Sequence, residues 1–174
     1  MQAHRTVIAV LALALAGAFP ARAAAQAQLS GRYNYNAGAS DDIAQSVNAA
    51  VQRMNFAVRP LARRYLARTN RAYRWVEISY AAPRVTISTD LRAGTPTPAD
   101  GTPVELRRDD GEVQALSTLW ANGRLEQTIR AKEAQRVTTY SLSEDGKTLT
   151  VAVRLTSHRL PQPVAYRLVY DRAR

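Results

Sequence analysis

The order of periodicities constrains this chain more than its composition does. Residues 29–36 alternate as a strand does. Two helical patterns follow, at 40–54 and 57–69, and beyond them the chain reads as short strands and turns to its end. A period of two places successive side chains on opposite faces of a sheet, whereas a recurrence near 3.6 draws one stripe along a helix. One strand, a helical pair and then a long β-meander is an order that few architectures accommodate.

The helical pair can be read in some detail. Ser40 suits an N-cap, and Asp41 and Asp42 in the first turn suit the positive end of the helix dipole. Ile43, Val47, Val51 and Met54 then form one apolar stripe. Pro60 fits the first turn of the second helix, and Asn70 is a natural stop. At 100° per residue, Val58, Leu61, Ala62, Tyr65 and Leu66 share one arc, opposite Arg59, Arg63, Arg64 and Arg68. Helices this short are marginal alone in water, so both stripes are expected to dock on the sheet that follows.

Eight strands are expected after the helices, at 73–80, 84–90, 104–108, 113–120, 124–131, 137–142, 148–156 and 164–170. Asp109-Asp110-Gly111, Ala121-Asn122-Gly123 and Glu144-Asp145-Gly146-Lys147 read as hairpin turns. Residues 93–103, with three prolines and two glycines, form the longest expected loop. A run of hairpin-linked strands leaves exposed edges unless the sheet closes. Many strands also carry one apolar face and one face of Thr, Ser, Gln and Arg, with no further helices to cover the second. The expected fold class is therefore mainly β, an up-and-down antiparallel β-barrel with a helix-turn-helix inserted between the first and second strands. A twisted sandwich is the alternative.

Residues 1–27 read as an export signal. A weakly basic start at His4 and Arg5 precedes an apolar run from 7 to 19, and Ala25-Gln26-Ala27 supplies small residues at the cleavage positions, with Ala21-Arg22-Ala23 a second possible cut. The run is too short for a comfortable membrane span. Residues 28–174 then form a single domain with a helical lid at about 40–69, in an exported protein that is periplasmic or secreted. The chain has no cysteine, which rules out disulfides and a cysteine-linked lipid anchor.

The formal net charge is +10, and losing 1–27 removes Arg5 and Arg22 and no acid, which leaves +8. Between Asp42 and Glu77 lie seven arginines (Arg53, Arg59, Arg63, Arg64, Arg68, Arg71 and Arg74) and no acidic residue. A basic balance raises nucleic acid as a partner, but export points instead to anionic lipid or small carboxylates, so no nucleic acid partner is expected. Solubility alone also accounts for such charge.

In its organisation the chain resembles the calycins, meaning the lipocalins and above all the fatty-acid-binding type of barrel. That family opens with Gly-x-Trp, and here Gly31-Arg32-Tyr33 stands in its place. The resemblance implies the inserted helical pair, the meander and a basic, Tyr-containing last strand. It also implies an Arg-x-Tyr pair that holds a ligand carboxylate. With the tyrosine at Tyr170, however, Leu168 occupies the arginine position, and Arg167 is one residue off and on the other face.

No residue pattern supports catalysis or metal binding. His158 is the sole histidine beyond residue 27, and the acidic pairs suit a helix start and a turn. Neither an enzyme nor a cofactor is expected. For ligand binding, Arg154 and Arg167 stand out as strand arginines able to pair with an anionic head group if they face inward, or to sit in solvent if they do not. Arg167 or Arg172 could alternatively pack across Tyr33. Trp75, Trp120, Tyr140 and Tyr166 could line a cavity or simply fill the core. Arg59, Arg63, Arg64 and Arg68 could contact anionic membrane or an acidic partner. Together these residues describe a non-enzymatic protein that binds a small, largely apolar ligand, neutral or fatty-acid-like. The alternative is an envelope interaction module working through the basic helical face.

Overall fold

A computed structural model describes residues 28–108 and 111–174. Residues 1–27, where an export signal is expected, and the Asp109-Asp110 pair lie outside the described residues. Strand β1 (Gly31–Asn36) leads through a 3-10 turn (Ala37–Ala39) into helices α1 (Ile43–Val51) and α2 (Arg59–Thr69). The chain then forms β2 (Trp75–Ala81), β3 (Arg84–Thr89), β4 (Thr97–Pro98), β5 (Val104–Arg107), β6 (Val113–Ala121), β7 (Arg124–Arg130), β8 (Ala134–Leu142), β9 (Thr148–Ser157) and β10 (Val164–Arg172).

All ten strands join one antiparallel sheet in the order β4-β3-β2-β1-β10-β9-β8-β7-β6-β5, curled into a nearly closed barrel with both helices inserted between β1 and β2. Closure depends on a strand pair that the loop-like sequence around 93–103 conceals. Thr97 and Pro98 pair with β3, Trp120 N–H donates to the Ala99 carbonyl at 3.0 Å, and Gly101 N–H donates to the Thr118 carbonyl at 2.9 Å. Farther along, β5 pairs with the first half of β6. The Thr97 hydroxyl, fully buried, bonds the equally buried Thr118 hydroxyl at 2.6 Å across this seam. A residue stretch rich in Pro and Gly thus crosses from β3 to the second half of β6 and pairs with both.

Alternation decides the interior. On β9 and β10, Leu149, Val151, Val153, Val164, Tyr166, Leu168 and Tyr170 are buried, and Arg154 and Arg167 between them are exposed. At the end where β1 starts, Gly31 has φ +147°, and a side chain there would run into the Arg172 guanidinium. That guanidinium lies 4.8 Å from the Tyr33 ring centroid. Asn122 (φ 52°) and Gly123 (φ 71°) make the β6–β7 turn, the backbone that tight hairpins need.

The helical pair departs from expectation in two ways. Asp42, not Ser40, caps α1: its carboxylate accepts from Ala44 N at 2.7 Å and Gln45 N at 3.3 Å. The Ser40 hydroxyl instead donates to the Asn36 carbonyl at 2.7 Å and accepts from Val169 N at 2.9 Å, while Asp41 accepts from Arg167 N at 2.7 Å. These groups fasten the helix entrance to β10. The second departure concerns α2. α1 buries Val47 and Val51 of its expected stripe, and Ala50 beside them, but of the α2 arc only Leu66 is buried. Leu61 is 71% exposed, Tyr65 61% and Val58 48%, and Phe56 in the preceding turn is 82% exposed. The docked seam of α2 is rotated to Ala62, Leu66 and Asn70, because a barrel mouth offers a narrower contact than a flat sheet does.

Candidate functional site

The barrel encloses a cavity of about 130 Å³. Apolar side chains from seven strands form most of its wall, among them Val76, Ile87, Leu116, Ile129, Val151 and Leu168. Polar groups interrupt it at Gln127, Thr138, Tyr73, Tyr140, Tyr170 and Arg136. Exposed Arg71, Arg92 and Ala93 form the rim, on the α2–β2 connection and the β3–β4 loop. Among the described residues no Asp or Glu lines the cavity, so three guanidinium groups make its potential positive.

Arg136 is the central residue. It sits on β8, on the inward face with Thr138 and Tyr140, and is half-buried. One terminal nitrogen donates to the Tyr166 hydroxyl at 2.9 Å. The other lies 3.2 Å from the Thr69 carbonyl and 3.4 Å from Asn70 Oδ1. Tyr166 in turn donates to Asn70 Oδ1 at 3.2 Å. Asn70 is buried as the C-cap of α2, with its backbone N–H and its side-chain amide both on the Leu66 carbonyl. All three acceptors around Arg136 are neutral. A half-desolvated guanidinium with neutral partners facing an apolar cavity is suited to an anion, since a carboxylate adds Coulombic attraction and bidentate geometry that neutral oxygens do not supply.

The phenols add donors. Burial first, then neighbouring Tyr73, pushes Tyr140 well above the ordinary phenol range, and Arg136 opposes the shift. Burial raises Tyr166 too, with Arg136 pulling it back. Tyr170 is raised chiefly by burial; its enclosed hydroxyl lies beside the Tyr73 backbone, outside good hydrogen-bond geometry. All three stay protonated at neutral pH and present hydroxyls rather than charges. Among the described residues no cluster of His, Asp or Glu could hold a metal ion.

The residues singled out in the sequence divide sharply. Tyr140 lines the cavity, and Tyr166 is one hydrogen bond from it through Arg136. Trp120 is buried in the core beside the Ala99 seam and is not part of the cavity wall. Trp75 lies on the outer face of β2, with the Arg32 guanidinium 4.1 Å over its ring. Arg154 and Arg167 are exposed on the outer face, which corrects the expectation of a cavity-facing guanidinium at either position. Arg172, not Arg167, packs across Tyr33. Arg63, Arg64 and Arg68 are exposed on α2, while Arg59 is half-buried and donates to the Met54 carbonyl at 2.8 Å. Arg136 escaped the sequence reading because β8 was expected to begin at Val137. Its spacing of four from Tyr140, on the same strand face, was the available signal.

No protein-family model and no curated protein sequence matches the chain. Solved structures do. A secretary abundant heat soluble protein from Ramazzottius varieornatus superposes with TM-score 0.58 at 8% identity, covering 84% of this chain and 96% of its own. Fatty-acid-binding protein 1 from Echinococcus granulosus gives 0.54 at 9% identity, covering 84% and 98%. Human cRBP IV gives 0.51 at 17% identity, covering 83% and 98%. At these identities the likeness is one of fold, and the fold is calycin-like, of the fatty-acid-binding-protein and lipocalin type.

Proposed function

We propose that this protein binds a small, largely apolar ligand carrying an anionic group, which lies in the barrel with that group against Arg136. The observation that carries this reading is the half-buried Arg136 guanidinium, held by neutral acceptors in the wall of an apolar, acid-free cavity. Apolar burial supplies affinity and the guanidinium supplies orientation. Proteins of the same fold that are described as a fatty acid transporter and a fatty-acid-binding protein support the ligand class. Nothing in the site calls for chemistry, so the protein is read as a carrier and not an enzyme. The pattern of residues 1–27 supports a place in the cell envelope or outside it.

Native mass spectrometry after gentle extraction, with displacement of a fluorescent fatty acid, tests the reading. A co-purifying anionic amphiphile, displaced by decanoate, is the expected result. A protein that leaves the cell empty and binds no member of the lipid class is not such a carrier.

A second reading rests on a separate observation. Phe56, Val58, Leu61 and Tyr65 form an exposed apolar ridge, and Arg64 and Arg68 fall beside it on the helical wheel. Apolar residues flanked by arginines suit a helix lying in the surface of an anionic membrane. On this reading the hairpin contacts a bilayer while the barrel carries the ligand. Salt-sensitive flotation with phosphatidylglycerol vesicles tests it; flotation indifferent to salt, or absent, argues against it.

A further inference from the structure

The guanidinium proposed to meet the ligand is also the group that holds the helical lid. Arg136 reaches from β8 to the Thr69 carbonyl and Asn70 Oδ1, at the C-terminal end of α2, where the unpaired carbonyls carry partial negative charge. The rest of α2 is thinly docked. Leu66 is its one buried side chain, and Leu61 and Tyr65 beside it are exposed. By contrast α1 buries three residues, and its Ala49 carbonyl accepts from Gln162 Nε2 at 2.5 Å. The polar attachment of the end of α2 to the barrel is therefore this one cationic side chain and the Asn70–Tyr166 bond beside it, added to the packing of Leu66.

We infer that Arg136 couples the cavity to the lid: an anionic ligand takes the guanidinium from the end of α2, and an unliganded cavity returns it. The argument is one of competition, and it rests on the ligand reading above. The contacts to Thr69 and Asn70 measure 3.2 and 3.4 Å and go to neutral oxygens. A carboxylate at the cavity wall makes shorter, stronger bonds. Both terminal nitrogens, which together form one bidentate edge for a carboxylate, are engaged here, one by the helix end and one by Tyr166. By linkage, the anion loosens α2 by the same factor that the latch weakens anion binding. A neutral ligand of the same length has no such leverage, because it makes no differential contact with the latch.

The test uses the whole chain with decanoate and 1-decanol as probes, following amide exchange in the last turn of α2, where Asn70 N–H bonds the Leu66 carbonyl at 2.9 Å. Decanoate should speed exchange of that amide, and 1-decanol should leave it alone. Two substitutions read the linkage from the other side. Asn70→Ala, which removes one latch acceptor, should tighten decanoate by roughly five- to tenfold without affecting 1-decanol. Asn70→Asp, which gives Arg136 an internal carboxylate, should weaken decanoate by at least as much. Decanoate that binds without changing exchange at α2 overturns the coupling while leaving the ligand reading intact, and so do two substitutions that shift both probes alike. If neither probe binds the unaltered protein, the ligand reading falls and the coupling with it. Should either variant fold poorly, exchange in the unaltered chain still decides.

Discussion

The guanidinium of Arg172 lies over the Tyr33 ring at 4.8 Å and donates to its hydroxyl at 2.7 Å. It also reaches the Gln28 carbonyl at 2.6 Å, the Ser30 carbonyl at 3.0 Å and the Gly146 carbonyl at 2.7 Å. One side chain near the end of the chain thus ties its first described residues to β1 and to the β8–β9 hairpin. Arg172→Ala leaves four oxygens short of a donor in a partly buried site and should cost about 2–4 kcal/mol. Arg167→Ala, on the exposed outer face of the same strand, should stay within about 0.5 kcal/mol. Urea unfolding of the two variants compares them directly.

Three arginines on neighbouring strands should differ just as clearly in binding. Arg136→Gln should weaken an anionic ligand by roughly tenfold to a hundredfold, the span of one or two charge-assisted hydrogen bonds. Arg154→Ala and Arg167→Ala should leave affinity unchanged, because both side chains face away from the cavity. Equilibrium titration with decanoate separates the three. Equal losses at all three positions would point to a general charge effect and not to an oriented contact.

The exposed ridge of the helical hairpin carries its own expectation. Leu61→Asp should abolish flotation with anionic vesicles, because it places a charge among Phe56, Val58 and Tyr65. Neutralising Arg63, Arg64 and Arg68 together should weaken it by about 1 kcal/mol per arginine near the surface. Since Leu61 is not a core residue, thermal unfolding should move little. Loss of flotation accompanied by unfolding would not support membrane contact.

Buried phenols set the alkaline limit of stability. Tyr33, Tyr140, Tyr166 and Tyr170 all have raised affinity for their protons in the folded state, with burial as the leading cause. Their stabilising contribution is complete below the ordinary phenol value of about 10, where neither state is ionised. As pH rises above it the unfolded chain releases protons that the folded chain still keeps, so stability falls. Unfolding free energy should therefore be flat from pH 7 to 9 and drop beyond about pH 10, in step with phenolate absorbance. Tyr140→Phe should flatten that decline. A decline that begins near neutrality would point to other groups.

Much of the architecture follows from local rules that a linear chain displays openly. Period-two strands, Asn122-Gly123 at a turn, Pro60 in the first turn of a helix and Asn70 at its end depend on residues a few positions apart. The meander of strands with edges to protect points to an antiparallel barrel, with a twisted sandwich as the alternative, and the helical pair after a single strand fits that barrel. Local pattern also placed Arg167 and Tyr166 on opposite faces of β10, but it did not say which face was inner. Val164, Tyr166, Leu168 and Tyr170 alternate with Ala165, Arg167, Val169 and Asp171, so apolar side chains occur on both faces, and only closure of the sheet puts one face out of water.

The remainder was decided in three dimensions. The arc of Val58, Leu61 and Tyr65 has the pattern of a buried stripe, yet the barrel mouth accepts the neighbouring seam through Leu66 and leaves that arc in solvent. The β4 seam depends on Thr97 meeting Thr118, and Asn70, Arg136 and Tyr166 come from three elements far apart in the chain. Periodicity is a one-body property of each segment and can be read from it alone. A cavity, its charge and its latch are properties of segments brought together, and no segment carries them by itself.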